Sequence, residues 1–404
     1  MRDYHNVKRL SVVLVGLAAA IAGLCAVAAG DDWPIYRGAA HDGISAEKGW
    51  FAPGAQLKVL WSADIGRSCS AMAVVGDRVY TMGNKADNDI VYCFEAATGK
   101  EVWKYSYPEK VDSENYEGGP NATPTVDGKC VYTVSKTGKV FCLDAEKSTK
   151  VWEIQLASKK PTWGYAGSVL PLGDKLIVNA GDHGTCLEKA TGKVVWDSGA
   201  GPGGYSTPVP YERGGKTLIA LFSAKSVLAV NAADGGVVWQ YPWQTSYDVN
   251  AADPVILDGG AKAFVSSGYG HGSAMLDVSG EKPTELWSNK TMRNKHTNSV
   301  VYQGAIYGFD EKKTLVCLDA AAGTVKWTKG GFGLGSLMVA DGKLIILSEE
   351  GEIVIAEASG EGFKQLAAGQ AVKKPCWTVP VLANGRIYAR NKTGTLSCAT
   401  FNAK

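Results

Sequence analysis

One strand–turn–strand unit recurs along almost the whole chain and limits the folds that the chain can adopt. Its clearest copy begins with the apolar run Val91–Phe94, turns at Thr98-Gly99-Lys100 and resumes at Val102-Trp103. The β-branched and aromatic residues favour strands, and the turn glycine can take a positive φ, so the unit is predicted to be a β-hairpin. The same four-residue step from Gly to Trp occurs three more times, at Gly192–Trp196, Gly235–Trp239 and Gly323–Trp327.

The spacing of the tryptophans sets the size of the repeat. The repeat tryptophans are separated by 40 to 49 residues and are Trp61, Trp103, Trp152, Trp196, Trp239, Trp287 and Trp327. A period of about 40 to 50 residues is typical of a β-propeller blade, a four-stranded sheet that buries its faces only against its neighbours. We expect these tryptophans to be structural residues, buried where adjacent blades dock.

The strand pattern also predicts how the ring closes. A second hairpin precedes each repeat unit, and its first strands begin near residues 72, 124, 169, 208, 254, 300, 337 and 380, which gives eight blades. The segment Leu57–Trp61 resembles an outermost strand with no blade before it, whereas the last repeat ends near Cys398-Ala399 without such a strand. The predicted fold is therefore an all-β, eight-bladed propeller of four-stranded antiparallel blades, its last blade closed by the N-terminal strand so that no open edge remains. One repeat lacks its tryptophan; Leu366 is expected in its place, with looser packing of that blade.

The first residues have the features of an export signal. Arg2, Lys8 and Arg9 precede an apolar run from Leu10 to Ala22 and a series of small residues. This predicts a signal peptide over residues 1–29, an N-terminal arm over residues 30–56 and the propeller over residues 57–404. Lipidation at Cys25 is disfavoured because Leu24 stands where a small residue is required. The mature protein is expected to be periplasmic or secreted, with no transmembrane segment.

The net charge and the cysteine positions limit the classes of partner and of chemistry that the chain can have. Removal of the signal peptide leaves 39 basic and 39 acidic residues, which argues against a nucleic-acid partner. Of the nine cysteines, Cys93, Cys142, Cys186 and Cys317 occupy one repeat position and are expected to be small buried fillers. Cys69 and Cys376 lie at the start of the first and last repeats, and the sequence leaves open whether they form a disulfide.

Loops at the start of each first strand and between the second and third strands share one face of a propeller, around the central channel. The polar residues in such loops are concentrated in the fifth and sixth repeats, and the candidate ligand-binding residues of this funnel are Tyr247, Asp248, Asn250, His271, Arg293, His296 and Asn298. Convergent polar side chains can hold a ligand. The alternative is that they are ordinary solvated loop residues.

The repeat of the form Cys-Leu-Asp-Ala-x-x-Gly-x-x-x-Trp resembles the pyrroloquinoline-quinone (PQQ)-like propeller family, in its exported bacterial members. Further resemblance lies in Trp33-Pro34-x-Tyr36-Arg37-Gly38, in Tyr247–Pro254, in Ser266–Gly270 and in Ala383–Arg390. The resemblance covers Asp31 to the end. It implies a fold, but the family includes quinoprotein alcohol dehydrogenases, the propeller lipoprotein of the outer-membrane barrel-assembly machinery and members without an assigned role.

For the dehydrogenases, the resemblance implies a quinone held against a vicinal disulfide, a calcium ion and an Asp base. This sequence has no Cys-Cys pair, and Asp248, Asn250 and Asp253 supply few of the six to eight oxygen ligands that calcium takes. In that alternative, Asp248 is the base and Arg293 binds a quinone carboxylate.

No metalloprotease, nucleophile-elbow, phosphate-loop or haem-attachment motif is present. The sequence therefore favours an exported, non-catalytic, monomeric binding or scaffolding propeller with no catalytic residue, metal or cofactor, acting on an unknown envelope protein or ligand. One alternative is a PQQ- and calcium-dependent alcohol dehydrogenase. The other is a polysaccharide-binding propeller that uses Trp163, Tyr165, Tyr205 and Trp377 as stacking surfaces.

Overall fold

The computed structural model describes residues 1, 32–111 and 118–402, so the predicted signal peptide lies outside the described residues. In the described ranges eight sheets follow one another, seven with four strands and one with five, and each contains four antiparallel strands. This confirms the predicted eight-bladed propeller. No helix in these ranges has the length and hydropathy that a membrane span requires.

Two strands precede the first complete blade, β1 (Ile44–Ser45) and β2 (Gln56–Asp64). The strands of blades 1 to 4 then run in order, each blade from its inner strand outward: β3 (Ala73–Val75), β4 (Arg78–Lys85), β5 (Asn88–Glu95), β6 (Glu101–Pro108); β7 (Thr125–Asp127), β8 (Cys130–Val134), β9 (Lys139–Asp144), β10 (Lys150–Gln155); β11 (Leu170–Leu172), β12 (Lys175–Val178), β13 (Thr185–Glu188), β14 (Val194–Asp197); β15 (Val209–Arg213), β16 (Lys216–Phe222), β17 (Ser226–Asn231), β18 (Val237–Pro242).

Blades 5 to 8 continue the series and include two short 3-10 turns, Ser246–Asp248 and Asp258–Gly260. Their strands are β19 (Val255–Leu257), β20 (Lys262–Ser267), β21 (Gly272–Asp277), β22 (Thr284–Asn289); β23 (Val300–Tyr302), β24 (Ala305–Asp310), β25 (Thr314–Asp319), β26 (Val325–Lys329); β27 (Ser336–Ala340), β28 (Lys343–Leu347), β29 (Glu352–Glu357), β30 (Gln365–Gln370); β31 (Val381–Ala383), β32 (Arg386–Arg390), β33 (Thr395–Asn402).

Strand β2 closes the ring. It pairs antiparallel with β33 from Gln56 opposite Asn402 to Asp64 opposite Thr395, and so becomes the outermost strand of blade 8. The predicted closure by the N-terminal strand is confirmed. Strand β1 joins blade 7 instead, pairing parallel with β27 on its inner side.

Arg390 joins the last blade to the first through hydrogen bonds. Its guanidinium is completely buried and donates to the backbone oxygens of Gly66, Ser70 and Met82 in blade 1 and its flanking segment. Burial lowers the pKa of Arg390 to about 10, which still leaves the side chain protonated at neutral pH. A buried guanidinium is tolerated here because its donors are satisfied by carbonyl oxygens.

The repeat tryptophans form the seams between blades. Six of the seven donate their indole N–H to a backbone oxygen in the third-to-fourth strand turn of the following blade, as Trp61 does to Ala96 at 2.9 Å and Trp103 to Ala145 at 2.8 Å. The turn glycine is required for this contact: Gly99 has φ +71°, and a Cβ on it would lie 2.5 Å from the Trp61 ring. The Gly-to-Trp repeat therefore encodes both the hairpin and the docking surface for the preceding blade.

The seventh tryptophan, Trp239, is the exception. Its indole donates to the Tyr211 hydroxyl at 2.8 Å. The turn oxygen that it would otherwise reach belongs to Val278, and this oxygen accepts a hydrogen bond from Arg213. An arginine on blade 4 thus replaces the tryptophan as the donor across this seam.

Strand register explains both the cysteines and the missing tryptophan. Each repeat tryptophan lies opposite a third-strand residue, and five of these are cysteines: Cys93, Cys142, Cys186, Cys317 and Cys398. In blade 7 the corresponding pair is Ile355 opposite Ala367, which reverses the small–large order. The expectation that Leu366 takes the tryptophan position was wrong by one residue, because Leu366 is the unpaired residue of the β-bulge.

Blade 7 has no tryptophan because blade 8 offers no turn for one to contact. The third and fourth strands of blade 8 come from opposite ends of the chain and are not joined by a turn. The arm contributes Trp50 and Phe51 there, and the Phe51 ring lies 5.7 Å from that of Phe401 in the same buried cluster. This seam is packed by different residues from the other seven.

The arm follows the first-to-second strand turns around the ring. Trp33 exchanges backbone hydrogen bonds with Val74 of blade 1, and Pro34 accepts one from Val126 of blade 2. Ile35 packs among the buried side chains of blades 3 and 4. Farther along, the Glu47 carboxylate accepts the backbone N–H groups of Asn384 and Gly385 in blade 8.

None of the eight cysteines in the described ranges is in a disulfide. Cys69 and Cys376 therefore do not form the disulfide that the sequence left open, although both lie near Arg390.

Candidate binding funnel

A partial ring of hydrogen bonds, which runs from blade 1 to blade 6, lines the channel just before the innermost strands. In each case a backbone N–H of one blade donates to a side-chain oxygen of the next: Ala71 to Thr123, Thr123 to Ser168, Ser168 to Thr207, Thr207 to Asp253 and Asp253 to Asn298. The distances are 2.7 to 3.2 Å. These acceptors satisfy backbone donors that would otherwise be buried without a partner.

The arm closes one end of the channel at Tyr36 and Arg37. The buried Arg37 guanidinium donates to the backbone oxygens of His41, Asp42 and Ser299, and its Nε lies 3.9 Å from Asp253 Oδ2. Burial raises the pKa of Asp253 to about 6, whereas Arg37 and the Thr207 N–H act in the opposite direction. We call the residues Tyr36, Arg37 and Asp253 the floor.

Above the floor is a cavity of about 380 Å³. Its lining comes from loops of all eight blades, at the face that carries the second-to-third strand loops. We call the end of the channel at this face, opposite the floor, the mouth. Most of the exposed lining is apolar, with polar groups from a few positions, which is typical of small-ligand sites.

The cavity has two unlike walls. Aromatic side chains of blades 3, 4 and 5 form one, namely Trp163, Tyr205 and Tyr269. Lys295, His296 and Trp377, from the loops leading into blades 6 and 8, contribute to the other. We call these the aromatic wall and the cationic wall.

Trp377 organises the cationic wall. Its indole N–H donates to Glu349 at 3.1 Å, the His296 ring stacks on it at 5.1 Å, and Lys392 Nζ lies 3.8 Å from its ring centre. The His296 side chain is exposed to the solvent of the channel, although the channel walls surround it. The partial desolvation that these walls impose, followed by the charge of Lys295, lowers the pKa of His296 to about 4, so the imidazole is neutral at neutral pH.

Of the seven funnel candidates, only His296 lines this cavity. Asn250 and Asn298 are buried in structural roles. Asn250 donates to the backbone oxygens of Ser223, Ala224 and Trp243, while Asn298 donates to Asp253 Oδ2 and accepts the Asp253 N–H.

The other four candidates lie beside the cavity. Arg293 is held by Asp310 at 2.7 Å and Glu311 at 3.1 Å. His271 packs against Trp243 with ring centres 4.3 Å apart, in a separate depression. Tyr247 is 70% exposed and, like its neighbour Asp248, has a positive φ in the 3-10 turn near the mouth.

Sequence reasoning missed Tyr36, Lys295 and the hydrogen-bonded ring. The ring had a detectable signal, since Thr123, Thr207 and Asp253 each precede a proline at the start of an innermost strand. Tyr36 carried no such signal, because the arm shows no strand periodicity.

The residues proposed for quinone chemistry do not fit that cofactor. Asp248 does not line the cavity, and Arg293 is already paired with two carboxylates. Asp253, the acidic residue of the lining, is held by Arg37. Within the described ranges, no three His, Cys, Asp or Glu side chains are grouped so that they could hold a metal ion.

The ring of eight blades, with its Cys–Trp pairs and turn glycines, defines a PQQ-like β-propeller. The family model described as "Outer membrane protein assembly factor BamB" matches residues 55–198 and 90–329, more than half of the chain. The chain therefore belongs to this family, and the resemblance found in the sequence is confirmed.

Individual proteins agree with this assignment. The outer membrane protein assembly factor BamB of Bordetella pertussis is 25% identical over 362 residues, which are 88% of this chain and 76% of that protein. The crystal structure of BamB from Moraxella catarrhalis aligns with a TM-score of 0.63 at 17% identity, over 85% of this chain and all of that one. Quinohemoprotein alcohol dehydrogenase from Comamonas testosteroni aligns with a TM-score of 0.69 at 13% identity, over 92% and 81%. At these identities the structures show a shared fold.

Proposed function

We propose that this protein is an exported, non-catalytic propeller that acts as a binding scaffold in the assembly of outer membrane proteins. The observation that carries the proposal is the family match over residues 55–329. The exported state is supported by the signal-peptide features of residues 1–29. The domain boundaries that we propose are those expected from the sequence, a signal peptide over residues 1–29, an arm over residues 30–56 and the propeller over residues 57–404.

The structure supports binding rather than catalysis through what the candidate residues already do. Arg293, Asn250 and Asn298 are engaged in ion pairs or hydrogen bonds within the protein. A catalytic base must lie within reach of a substrate proton, and Asp248, the base of the dehydrogenase alternative, does not line the cavity. The open face, with its loops and exposed aromatic residues, is the surface on which we place partner binding.

The test is deletion of the gene in the organism that encodes it, followed by quantitative proteomics of the outer membrane. We expect lower amounts of outer membrane proteins, restored by the wild-type gene and by the Asp248→Ala variant. Unchanged outer membrane proteins, together with loss of a PQQ-dependent alcohol oxidation, would contradict the proposal and favour the dehydrogenase alternative.

A further inference from the structure

We propose that Cys130 and Cys142 form a binding site for one soft metal ion, Cu(I), held between their two thiolates on the face of blade 2 that packs against blade 3. Neither residue lines the cavity of the central channel. The site does not depend on the proposed role in outer membrane assembly, and its test uses the purified protein alone.

The strand register of blade 2 brings the two thiols together. Tyr132 on β8 lies directly opposite Cys142 on β9, and Cys130 lies two residues before Tyr132, opposite Asp144. Residues two apart in a strand point to the same face, so Cys130 and Cys142 are diagonal neighbours on one face of the blade. Cys142 belongs to the buried cluster that joins blades 2 and 3, and Cys130 packs against this cluster.

The two thiols and the Tyr132 hydroxyl interact with one another. Burial, followed by hydrogen bonding to Cys130, raises the pKa of Cys142 to about 12. Burial, followed by hydrogen bonding to Cys130, likewise raises the pKa of Tyr132. Cys142 is 1% exposed, whereas Cys130 is only half-buried. An ion therefore reaches the pair from the Cys130 side without opening the blade.

The other repeat cysteines have a fixed positive charge nearby. Among the described residues, a basic side chain acts on each of them: Arg78 on Cys93, Lys175 on Cys186, Lys326 on Cys317 and Arg386 on Cys398. Three of these basic residues, each two residues before the cross-strand partner of its cysteine, hold the position of Cys130: Arg78, Lys175 and Arg386. Blade 2 thus has a sulfur ligand where these blades have a cation that would repel a metal ion.

Cys69 and Cys376 do not offer an equivalent site. Both lie near Arg390, whose guanidinium is completely buried between the last blade and the first. A metal cation bound there would stand beside a buried positive charge, which is unfavourable in a medium of low dielectric constant.

A bridging metal ion suits the geometry of the blade 2 pair better than a disulfide does. Diagonal neighbours in an antiparallel pair have Cα atoms about 7 to 8 Å apart, whereas a disulfide usually joins Cα atoms about 4.4 to 6.8 Å apart. Two metal–sulfur bonds of about 2.3 Å, the length found in zinc thiolates, join sulfur atoms up to about 4.6 Å apart. The ion therefore bridges the diagonal without moving the strands.

The ligand set selects the ion. Thiolates are soft ligands that favour Cu(I), an ion that forms stable complexes with only two ligands. Structural zinc takes four ligands, and within the described ranges no three His, Cys, Asp or Glu side chains are grouped for a metal ion. Asp144, the carboxylate opposite Cys130, already accepts the backbone N–H groups of Glu146 and Lys147 in its turn.

Binding exchanges protons for the ion and transfers no electron. The two thiols lose one proton each to solvent, and Cu(I) bonds to both sulfur atoms in a complex with one net negative charge. The Tyr132 O–H lies beside the thiols and donates to a thiolate sulfur, which stabilises this charge. Because two protons leave, the apparent affinity at neutral pH should rise about a hundredfold per pH unit.

The experiment compares blade 2 with blade 3. The reduced mature protein is titrated with Cu(I) without oxygen, in competition with bathocuproine disulfonate, and X-ray absorption at the copper edge identifies the ligand atoms. The variants are Cys130→Ser and Cys130→Lys, the second giving blade 2 the residue that blade 3 has in Lys175. The matched control is Cys186→Ala, which removes the repeat cysteine of blade 3 and leaves the pair intact. Urea unfolding shows that each variant is folded.

We expect one Cu(I) per molecule with two sulfur neighbours. Cys130→Ser and Cys130→Lys should each weaken binding about a hundredfold or more, while Cys186→Ala binds as the wild type does. Wild-type affinity in both Cys130 variants would overturn the proposal, as would failure of the wild type to retain Cu(I) against the competitor or copper bound through nitrogen or oxygen. A Cys130–Cys142 disulfide in the protein isolated without reductant, found by peptide mapping, would equally contradict it.

Discussion

The two ends of the channel are built from the same eight blades but treat their polar groups in opposite ways. At the floor, Arg37 and Asp253 are buried and paired, and the ring of Thr, Ser, Asp and Asn acceptors is satisfied from blade to blade. At the mouth, Lys295 and His296 face the cavity and contact aromatic rings, but their side chains make no hydrogen bond or ion pair among the described residues. The difference comes from the arm, which covers one end only. Stability is therefore expected to reside at the floor, and binding at the mouth.

The largest effect should come from Arg37→Met. This change removes three hydrogen bonds to backbone oxygens and leaves the buried Asp253 without its cation, which should lower the free energy of unfolding by about 3 to 5 kcal/mol. Urea unfolding measures the change. Lys295→Met at the mouth is the matched control and should change it by less than about 0.5 kcal/mol.

The double variant Arg37→Met with Asp253→Asn separates charge from packing. It should recover part of the lost stability, because no charge is then buried without a partner. Equal losses in Arg37→Met and Lys295→Met would show that the floor and the mouth do not differ.

A smaller loss of stability is expected from Thr207→Val, which removes one acceptor from the series of hydrogen bonds between blades. The Thr207 hydroxyl accepts the Ser168 N–H at 3.0 Å, so valine leaves a buried backbone donor without an acceptor at a cost of about 1 to 3 kcal/mol. Thr207→Ser keeps the hydroxyl and should lose much less. If the two variants unfold at the same urea concentration, the ring hydrogen bond does not contribute to stability.

The pH dependence of stability should have opposite signs at the two ends. The folded protein raises the pKa of Asp253 to about 6, so between about pH 4 and 6 it binds a proton more tightly than the unfolded chain, and this group makes stability fall as the pH rises. His296 has its pKa lowered to about 4, so the unfolded chain binds the proton more tightly, and this group makes stability rise over the same range.

Unfolding free energies measured from pH 4 to 7 in two variants separate these contributions. Asp253→Asn should make the slope more positive than in the wild type, by on the order of 1 kcal/mol over the range. His296→Gln should make it more negative, and by less, because solvent in the cavity screens that ring. Shifts of the same sign would contradict the assignment.

The smallest effect is expected from Tyr247→Asn at the mouth. Asparagine tolerates the positive φ of this position better than tyrosine, and the tyrosine is mostly exposed, so stability should stay constant or rise by up to about 1 kcal/mol. Thermal unfolding checks this, with the exposed Val102→Thr variant on an outer strand as a control. A clear loss of stability would show that the Tyr247 ring stabilises the fold.

The sequence predicts the regular part of this molecule well, for physical reasons. Each blade repeats the same hairpin, so its tryptophan, turn glycine and third-strand cysteine return at a fixed spacing. The unmatched strand near Trp61 then implied closure by the N-terminal strand. The sequence did not predict that Ala367, rather than Leu366, takes the tryptophan position, because a β-bulge inserts one residue without a sequence signal.

The site was harder to predict because it depends on contacts between distant residues. From the sequence, Asn250, Arg293 and Asn298 could each have bound a ligand. The fold shows that they instead bond to backbone oxygens and carboxylates of other segments of the protein. Tyr36 lies in an irregular arm whose path follows from the completed ring. A loop residue's polarity indicates that it has a partner, but it does not indicate whether that partner is the protein itself or a ligand.

Amide hydrogen exchange of the mature protein tests the contrast between floor and mouth most directly. We predict that the amides of Trp33, Gly43 and Val339, whose hydrogen bonds lie within the arm or join it to the blades, exchange as slowly as those of central strands such as β16. Amides of residues 245–249 and 268–271 at the mouth should exchange at least about tenfold faster. Exchange of the arm at the rate of the mouth loops would contradict the claim that the arm seals one end of the channel.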